Sequence, residues 1–568
     1  MSDTARLPGV RDWKGDAWRL AIVLLLATGL RAWMVANTTL VSRDCVKFVR
    51  DALLLEDPPA GKDRRDVIKG AEHPPGYPAA ILGMSKLLRV GGRTMSVETM
   101  ALSAQLVSAV AGVLLVFPLY FLTRRVFDRN TACAAATLFI ALPVCVEVTS
   151  DGISDGLFLL TAVSALCFAA RALDQDGGRR EFGSGLWAGL CCGLGYLVRP
   201  DAAIVAGAIG LTLAGTAVVR RRGGGSTRAA LLAGVGLVVG FLVLAGPYVA
   251  LIGKLTNKPT GNQLIEQMQG KEAKPTYFQR TEIGSGRVPL AVWWDAAEAG
   301  DQSRAVWAIE AVGSEYWKST HYSLVIFALI GLFTLRKRLD DSRVVLLLVM
   351  AAVHVTALWW LAWRVGYVSQ RHTLLTVMIS CIVAACAFPA LGIWAVQLWH
   401  TRTLARFGLR AFGTIAGRSR ARPCVRAMRS ASPWFLGAIW TLLLLMPALP
   451  RDFYSLHAER AGHKAAGQWL AEKGDPEIDV VDPFGWAEWY AGRTLREPRR
   501  DPDKTWDGRK KYAIFEPNTK SPHSRLEYYE EARIMVIDKK AKPVFQYPTG
   551  VPPDEIKVAV YEYDPSKK

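Results

Sequence analysis

Long apolar stretches alternate with short charged connections over most of the chain. A helix needs about 20 apolar residues to cross the ~30 Å hydrocarbon layer of a bilayer. The pattern predicts eleven spans, at residues 20–36, 101–122, 131–149, 153–170, 184–198, 202–219, 229–252, 321–335, 344–363, 373–399 and 433–449. The stretches 184–198 and 321–335 are short for a straight span, so tilted pairs, half-spans or different boundaries are the alternatives there.

The charged connections indicate the orientation of these spans. The chain has 69 Lys and Arg residues against 50 Asp and Glu residues, a net charge of +19. Residues 1–19 and the alternate connections 123–130, 171–181, 220–228, 336–343 and 401–431 account for +17 of it. Basic connections stay on the cytoplasmic side, so segments 37–100, 253–320 and 450–568 are expected outside. No basic segment is interleaved with stacking aromatics, which argues against a nucleic-acid partner.

Composition excludes two further classes of protein. Hydrophobic residues make up 51% of the chain and aromatic residues 10%, which is incompatible with a disordered chain. The chain has nine cysteines, and Cys45 is the only one in the three outer segments. We therefore expect no disulfide framework, and the spacing of Cys and His residues indicates no metal site.

The last outer segment, residues 450–568, changes character and predicts a small α/β domain. Strand-like runs occur at 478–481, 512–515, 532–537 and 557–561, and helical spacing occurs at 463–473 and 485–492. The segment has neither a Gly-rich phosphate loop nor a nucleophile elbow. We therefore divide the chain into a membrane module, residues 1–449, and an outer domain, residues 450–568, with a supporting or acceptor-binding role.

An amphipathic helix is predicted directly after the first span. Apolar residues fall at positions 45, 48, 49, 52 and 53, with Lys47, Arg50 and Asp51 on the opposite face. Such a helix lies in the membrane interface. Ser42 is suited to cap it, which places Asp44 in the first turn, where the helix dipole favours a carboxylate. The alternative is that Asp44 is only a capping acid.

A proline-rich segment follows, with the sequence Glu72-His-Pro-Pro-Gly-Tyr-Pro. Its three prolines fix φ and remove backbone donors, so it is expected to form a stiff hairpin before apolar sequence resumes at residues 79–88. The hairpin would hold Glu72, His73 and Tyr77 near the membrane surface. A purely structural turn explains the prolines but not this cluster of polar residues.

Charged residues also collect at the outer ends of later spans. Asp155 begins the fourth span and Arg199 ends the fifth. Ionisable groups at membrane depth usually face the protein interior or a watery cavity. The alternatives are an N-cap role for Asp155 and simple snorkelling of Arg199 to the interface.

The turn between the ninth and tenth spans is rich in tryptophan and basic residues. Trp359, Trp360 and Trp363 are typical of an interfacial belt. Arg364 and Arg371 lie on the outer side against the orientation rule, which favours an anion-binding role; these two arginines are accompanied by His372. His354, in the middle of the ninth span, is expected to be a hydrogen-bonded core residue.

Together these residues resemble the polyprenyl-phosphate-dependent GT-C glycosyltransferases, specifically the protein O-mannosyltransferase and aminoarabinose-transferase superfamily. The likeness covers residues 20 to 400: an Asp after the first span, a Pro-rich outer hairpin, an acid starting the fourth span, Gly195-Tyr-Leu-Val-Arg-Pro ending the fifth, and Arg371-His372. The resemblance implies a GT-C fold of about eleven spans with an extracytoplasmic C-terminal α/β domain.

The resemblance also implies roles for individual positions. Asp44 and Asp155 match catalytic acids, while His73, Arg199 and Arg371 would bind the donor phosphate. The substrate-binding set would be Glu72, Tyr77, Arg364 and His372. The chain departs from the family pattern at Cys45, where an acid is common, at His73, where a lysine is usual, and at His372, where a tyrosine is usual.

The implied activity is transfer of a sugar from a polyprenyl-phosphate donor to a hydroxyl of a lipid, glycan or protein, with inversion. The protein would be a multi-pass protein of a bacterial inner membrane with its active site facing outward. No metal ligands or cofactor are assigned beyond the lipid-linked donor, and a divalent cation is left open. The alternatives are a transporter or flippase of a lipid-linked or anionic solute, and a polysaccharide ligase or polymerase.

Overall fold

The computed structural model describes residues 13–174, 179–269, 291–294, 302–406, 433–493, 510–517 and 529–566. Up to residue 449 this part of the chain is almost entirely helical. The helices, in chain order, are α1 (Trp13–Ala36), α2 (Arg43–Glu56), α3 (Arg64–Gly70), α4 (Gly76–Val90), α5 (Val97–Leu114), α6 (Val116–Val126), α7 (Arg129–Ile140), α8 (Pro143–Ser150), α9 (Asp155–Ala172), α10 (Arg179–Val198), α11 (Ala202–Arg222), α12 (Arg228–Ile252), α13 (Pro259–Met268), α14 (Arg304–Ser319), α15 (Ser323–Leu335), α16 (Ser342–Val365), α17 (Gln370–Arg406) and α18 (Pro433–Leu445).

The predicted polytopic helical fold is confirmed. Among the described residues, seven helical segments are long and apolar enough to cross a membrane, and nine are if each of two bent helix pairs counts as one span. Every one of the eleven predicted stretches overlaps a helix. The short stretch 184–198 belongs to α10, which starts at Arg179 and has 20 residues. The short stretch 321–335 is the second arm of a bent pair.

The first bent pair consists of α7 and α8, which meet at 64°. A break inside a membrane exposes backbone carbonyls that need donors. Arg31, 1% exposed, supplies one, because its guanidinium donates to the carbonyl oxygen of Ile140, the last residue of α7, at 3.3 Å. The following helix starts with Pro143, whose missing N–H costs nothing at that position. The bend sets the direction of the turn that carries Asp151 and Asp155.

Helices α10 and α12 pack unusually closely through glycine. A Cβ atom added to Gly189 would lie 2.1 Å from the carbonyl oxygen of Leu237, and one added to Gly240 would lie 2.3 Å from that of Leu186. Small residues at a four-residue spacing let helix backbones approach in membranes. This contact matters for the site because α10 leads directly into Arg199 and α12 leads into the outer segment containing Lys258.

Helix α17 is the central helix of the membrane module. Its part Gln370–Pro389 is the most buried of the seven candidate spans. The turn before it forms strand β2 (Tyr367–Ser369), which pairs antiparallel with β1 (Ala291–Trp293), Val292 opposite Val368. The pairing of β1 with β2 therefore fixes the segment that leads into the first turn of α17, which carries Arg371 and His372.

The tail, residues 450–568, contains a four-stranded mixed sheet in the order β3-β4-β6-β5. The strands are β3 (Asp479–Val481), β4 (Lys511–Phe515), β5 (Lys542–Tyr547) and β6 (Val558–Tyr563), with only β3 and β4 parallel. Helices α19 (Ala461–Glu472), α20 (Trp486–Tyr490) and α21 (Tyr529–Arg533) accompany it, with 3₁₀ turns at Leu449–Phe453, Ala458–Arg460 and Pro553–Glu555. The sheet confirms the α/β character of the tail. The boundary at residue 450 and its outer location stay predictions.

The structure differs from the prediction in three local features. Residues 532–537 are not a strand; they continue α21 into a π-helical turn, Ile534–Asp538, that buries Ala532 and Met535 against Phe515. Strand β5 was missed. The proline-rich segment is a turn only up to Pro75, because α4 already begins at Gly76.

Candidate active site

The first element of the site is the amino end of α2, which forms as predicted. Ser42 has extended backbone, and its hydroxyl accepts the amide of Cys45. The first turn presents Asp44, whose carboxylate oxygen Oδ2 accepts a hydrogen bond from Arg371 Nη1 at 2.6 Å. Both side chains are partly exposed, 39% for Asp44 and 26% for Arg371. Asp44 is therefore more than a helix cap: it pairs with the central helix α17.

The second element is an arginine held between two carboxylates. Arg199 donates through Nη1 to Asp155 Oδ1 at 2.5 Å, and its Nε and Nη2 donate to Asp201 Oδ2 at 2.9 and 2.7 Å. The Arg199 side chain is 9% exposed and that of Asp155 is 5% exposed. Arg199 thus binds two carboxylates of the protein, and Asp155, the first residue of α9, is one of them.

A cavity of about 570 Å³ is lined by Asp155, Arg199, Asp201 and Arg371, and Asp44 adjoins it through its contact with Arg371. Its polar end contains Asp155, Arg199, Asp201, Lys258, Tyr367, Arg371 and His372. The remaining wall is largely apolar and includes Phe158, Leu159, Ile204, Val353, Leu361, Leu374 and Leu375. Ligand sites are commonly 300–1,000 Å³ with a few polar groups in an apolar wall. This cavity combines a cationic end with a hydrocarbon-lined wall.

Lys258 is the residue that sequence reasoning missed. It contributes a third cation to the polar end, beside Arg199 and Arg371. Those two arginines have carboxylate partners, whereas no ion pair recorded among the described residues includes Lys258. A signal was available, because Lys258 follows the span 229–252 on the predicted outer side, against the positive-inside rule.

The pKa values of the site's carboxylates and of Lys258 are shifted by different causes. Partial desolvation raises the pKa of Asp44, but the adjacent Arg371 guanidinium outweighs it and holds that pKa well below its usual range. Desolvation also raises the pKa of Asp201, but the charges of Arg199 and Lys258 outweigh it and hold that pKa below its usual range. Desolvation, reinforced by Arg199, lowers the pKa of Lys258. Asp44 and Asp201 are therefore ionised, and a nearby anion would favour the charged form of Lys258.

The residues of the proline-rich turn lie close to Asp44 but outside the cavity wall. His73 Nδ1 lies 3.3 Å from Asp51 Oδ2. Glu72 lies 3.6 Å from the Lys47 ammonium. Asp51 is 5% exposed, so its expected place on the solvent face of α2 was wrong. His73 and Glu72 thus flank the face of α2 that carries Lys47.

Tyr77 is completely buried, and its hydroxyl donates to the Ala104 carbonyl at 3.0 Å and lies 2.8 Å from Ser108 Oγ. This position makes Tyr77 a core residue that ties α4 to α5. Arg364 stacks on Trp360 and Trp363, its guanidinium carbon 4.9 and 4.2 Å from the ring centres.

His372 lines the cavity, with Nδ1 3.0 Å from Ser369 Oγ. His354 lines the same cavity, and its Nδ1 lies 2.7 Å from Thr376 Oγ1, as expected for a hydrogen-bonded core histidine. The structure therefore brings together Asp44, Asp155, Arg199, Arg371 and His372. It keeps Tyr77 and Arg364 away from the cavity wall.

No cluster of three or more His, Cys, Asp or Glu side chains suited to a metal ion occurs among the described residues. The carboxylates that do gather here are each bonded to an arginine. In chemical terms the arrangement offers a cationic end for an anion, an apolar wall in the same cavity, and an ionised carboxylate, Asp44, beside it.

Comparison with known proteins is consistent with this geometry. Residues 72–245 match the family model described as dolichyl-phosphate-mannose-protein mannosyltransferase. No curated protein sequence matches the chain. Among solved structures, ArnT from Cupriavidus metallidurans bound to undecaprenyl phosphate superposes with a TM-score of 0.56 at 14% identity, covering 96% of this chain and 98% of that chain.

A second similar structure is the oligosaccharyltransferase AglB from Archaeoglobus fulgidus in complex with an inhibitory peptide and a dolichol-phosphate. Its TM-score is 0.52 at 16% identity, covering 95% of this chain and 74% of that chain. At such identities the likeness establishes the fold. The predicted GT-C type of fold is thereby confirmed, and the described residues contain the several long apolar helices of a multi-pass membrane protein.

The Arg199 network predicts unequal effects of removing its two carboxylates. Asp155→Ala should destabilise the protein by about 3 kcal/mol, because removing one member of a buried pair leaves the other charge poorly compensated. Asp201→Ala is the matched control: it removes a carboxylate that is 44% exposed and leaves the buried pair intact. Thermal unfolding in detergent should show the larger loss for Asp155→Ala; equal losses would contradict the asymmetry.

Proposed function

We propose that this protein is an integral-membrane glycosyltransferase that moves a sugar from a polyprenyl-phosphate donor to a hydroxyl acceptor, with inversion at the anomeric carbon. The observation that carries the proposal is the cavity, whose cationic end lies beside an ionised carboxylate and whose wall is apolar. We place the site on the outer face of a bacterial inner membrane, as the charge distribution of the connections indicates.

The donor would occupy the cavity with its phosphate among Arg199, Lys258 and Arg371. An arginine fork and a lysine both bind phosphate, and charge-assisted bonds are the stronger class. The isoprenoid chain would follow the apolar wall formed by residues such as Phe158, Ile204 and Leu361. The undecaprenyl phosphate bound to ArnT and the dolichol-phosphate bound to AglB, both of similar fold, support this class of ligand.

Asp44 would act as the general base. An alcohol is a weak nucleophile at neutral pH, and a positioned base contributes typically 10²–10⁴-fold. In the proposed step, Asp44 accepts the acceptor hydroxyl proton while the alcohol oxygen bonds to the anomeric carbon from the face opposite the phosphate. The bond from that carbon to the phosphate oxygen breaks, and the electron pair leaves with the polyprenyl phosphate. The three cations stabilise the departing negative charge.

Arg371 would connect donor binding to the basicity of Asp44. In the structure its guanidinium contacts Asp44 and also lines the cavity. A carboxylate held this strongly by a cation is a poor proton acceptor, since efficient bases have a pKa near the working pH. A donor phosphate drawing Arg371 toward itself would raise the pKa of Asp44 and so activate the base only when the donor is present.

The other predicted residues would support this pair. Asp155 is saturated by Arg199, which favours a role in holding that cation over direct proton transfer. His372 would contact the donor from within the cavity. His73 and Glu72 lie beside α2 and are better placed to meet an acceptor than the donor phosphate.

Two alternatives differ in what leaves the site. A transporter or flippase would move a lipid-linked or anionic solute without breaking a bond, and it commonly shows internal repeats with polar groups at the membrane midplane. The sequence halves show no such repeat. A polysaccharide ligase or polymerase would share the donor chemistry and differ only in using a growing glycan as acceptor.

The assignment of Asp44 predicts a loss of turnover without a loss of donor binding. Asp44→Asn keeps the shape of the side chain but cannot take the proton, so transfer should fall by about 10²-fold or more while polyprenyl-phosphate affinity changes little. Asp57→Asn, at the exposed carboxyl end of the same helix, is the control and should remain active. Near-normal transfer by Asp44→Asn would remove the proposed base.

The pairing with Arg371 predicts a pH effect. With Arg371 present, the low pKa of Asp44 keeps it ionised from pH 8 down to pH 5. In Arg371→Gln, desolvation is opposed only by more distant cations, so the pKa rises and protonation of Asp44 begins within that range. The ratio of kcat/KM, variant to native, should therefore fall by about two-fold or more between pH 7 and pH 5.

Taking the ratio removes titrations common to both proteins. Arg364→Gln is the matched control, because its guanidinium stacks on tryptophans instead of contacting Asp44; its ratio should not change with pH. A ratio for Arg371→Gln that is equally flat would mean that Arg371 does not control the ionisation of Asp44.

A further inference from the structure

The short connection before α2 is held by the tail. Trp486 donates its indole N–H to the carbonyl oxygen of Val41 at 2.9 Å, and the amide of Val41 donates to the Tyr490 hydroxyl at 3.4 Å. Two residues earlier, the amide of Thr39 donates to the Leu456 carbonyl at 3.0 Å. Residues far apart in sequence thus fix the backbone that leads into the helix of Asp44.

A second contact acts on the next residue. Asp151 Oδ1 accepts the amide of Ser42 at 3.0 Å, and its Oδ2 lies 3.1 Å from His457 Nε2 of the tail. Ser42 is the N-cap of α2, and Asp44 follows two residues later. Asp151 therefore bridges the tail to the residue that starts this helix.

Apolar packing reinforces both contacts. Leu40 is buried against Phe484 and Trp486, whose rings are parallel within 4°. On the membrane side, a Cβ atom on Gly152 would lie 2.3 Å from Cys45 Sγ, so the first turn of α2 is seated directly on the loop after α8. The first turn has little freedom to shift along its axis.

Such constraint has a chemical consequence for a general base. Reacting groups must lie about 3–3.5 Å apart, and a displacement of about 1 Å can lower a rate 10²-fold. Arg371 restrains the Asp44 carboxylate in the structure, but that contact is the one expected to loosen when a donor phosphate binds. The backbone contacts at Val41 and Ser42 are independent of the donor, and they would hold Asp44 in place at the moment of transfer.

We propose that Trp486 and Asp151 are positioning residues for Asp44, acting through the backbone of Val41 and Ser42, so that the tail is a working part of the transfer site. The inference rests on the proposed function of Asp44. It gives the tail a supporting role in catalysis in place of an acceptor-binding role.

The first test replaces the indole but keeps a ring. Trp486→Phe removes the hydrogen bond to Val41, and we expect kcat to fall about 10-fold with the KM for the donor and the unfolding temperature unchanged. Trp469→Phe is the matched control, because Trp469 stacks on Phe545 inside the tail. If Trp486→Phe lowers the unfolding temperature, Tyr490→Phe is used in its place. This variant removes only the hydroxyl oxygen that accepts the Val41 amide, and it should lower kcat several-fold.

A double-mutant cycle shows whether the effect passes through Asp44. In an Asp44→Asn background, Trp486→Phe should cause no further loss of the residual transfer. The same 10-fold loss in both backgrounds would overturn the proposal, because Trp486 would then act elsewhere. Full activity of Asp44→Asn alone would instead refute the proposed base, and that result is obtained without any change in the tail.

Asp151 provides a separate check by conservative replacement. Asp151→Asn retains an oxygen for the Ser42 amide and a polar group for His457, so kcat should stay within about three-fold of native. Asp151→Ala loses both contacts, and kcat should fall at least 10-fold with donor KM unchanged. Equal kcat values for the two variants, or a loss confined to KM, would overturn the positioning role.

Discussion

The ion pair between Asp44 and Arg371 is the contact on which the arrangement of the candidate site depends. It joins the first outer helix to the central helix α17 across 327 positions of sequence. Arg371 also lines the cavity, so its side chain lies between the Asp44 carboxylate and the cavity interior. Breaking the pair would leave a carboxylate and a guanidinium near the membrane surface without their strongest partner, which is why the donor phosphate is the natural competitor for Arg371.

The remaining cations reach this point through helix packing. Close approach of α10 and α12 at Gly189 and Gly240 brings the two following outer segments together, and these segments contribute Arg199 and Lys258 to one cavity. The three cations are accompanied by three carboxylates, Asp44, Asp155 and Asp201, which offset much of their charge. A charge-balanced site is less costly at membrane depth, and it explains how basic residues gather on a face where the orientation rule disfavours them.

The sequence was most informative where local physics decides the outcome. Apolar runs located the spans, and the apolar stripe with Ser42 located α2 and put Asp44 in its first turn. Contacts between residues distant in sequence could not be predicted. The sequence around Asp44 does not indicate its pairing with Arg371, and the sequence around Asp51 does not indicate its contact with His73. Residues 532–537 form a helical turn because short apolar runs fit a strand or a buried helix equally well. Lys258 could have been identified, because it lies in a predicted outer segment, where basic residues are disfavoured.

The central claim is that the cavity binds a polyprenyl phosphate, and the lipid that co-purifies with the protein tests it most directly. Mass spectrometry of the native protein, gently extracted from its own membrane, should detect a polyprenyl-phosphate species in about equimolar amount. That species should be depleted in the Arg199→Ala and Lys258→Ala proteins and retained when the exposed Arg221 is changed to Ala. A soluble anionic solute in place of the lipid, or lipid retained equally by all of these proteins, would contradict the account.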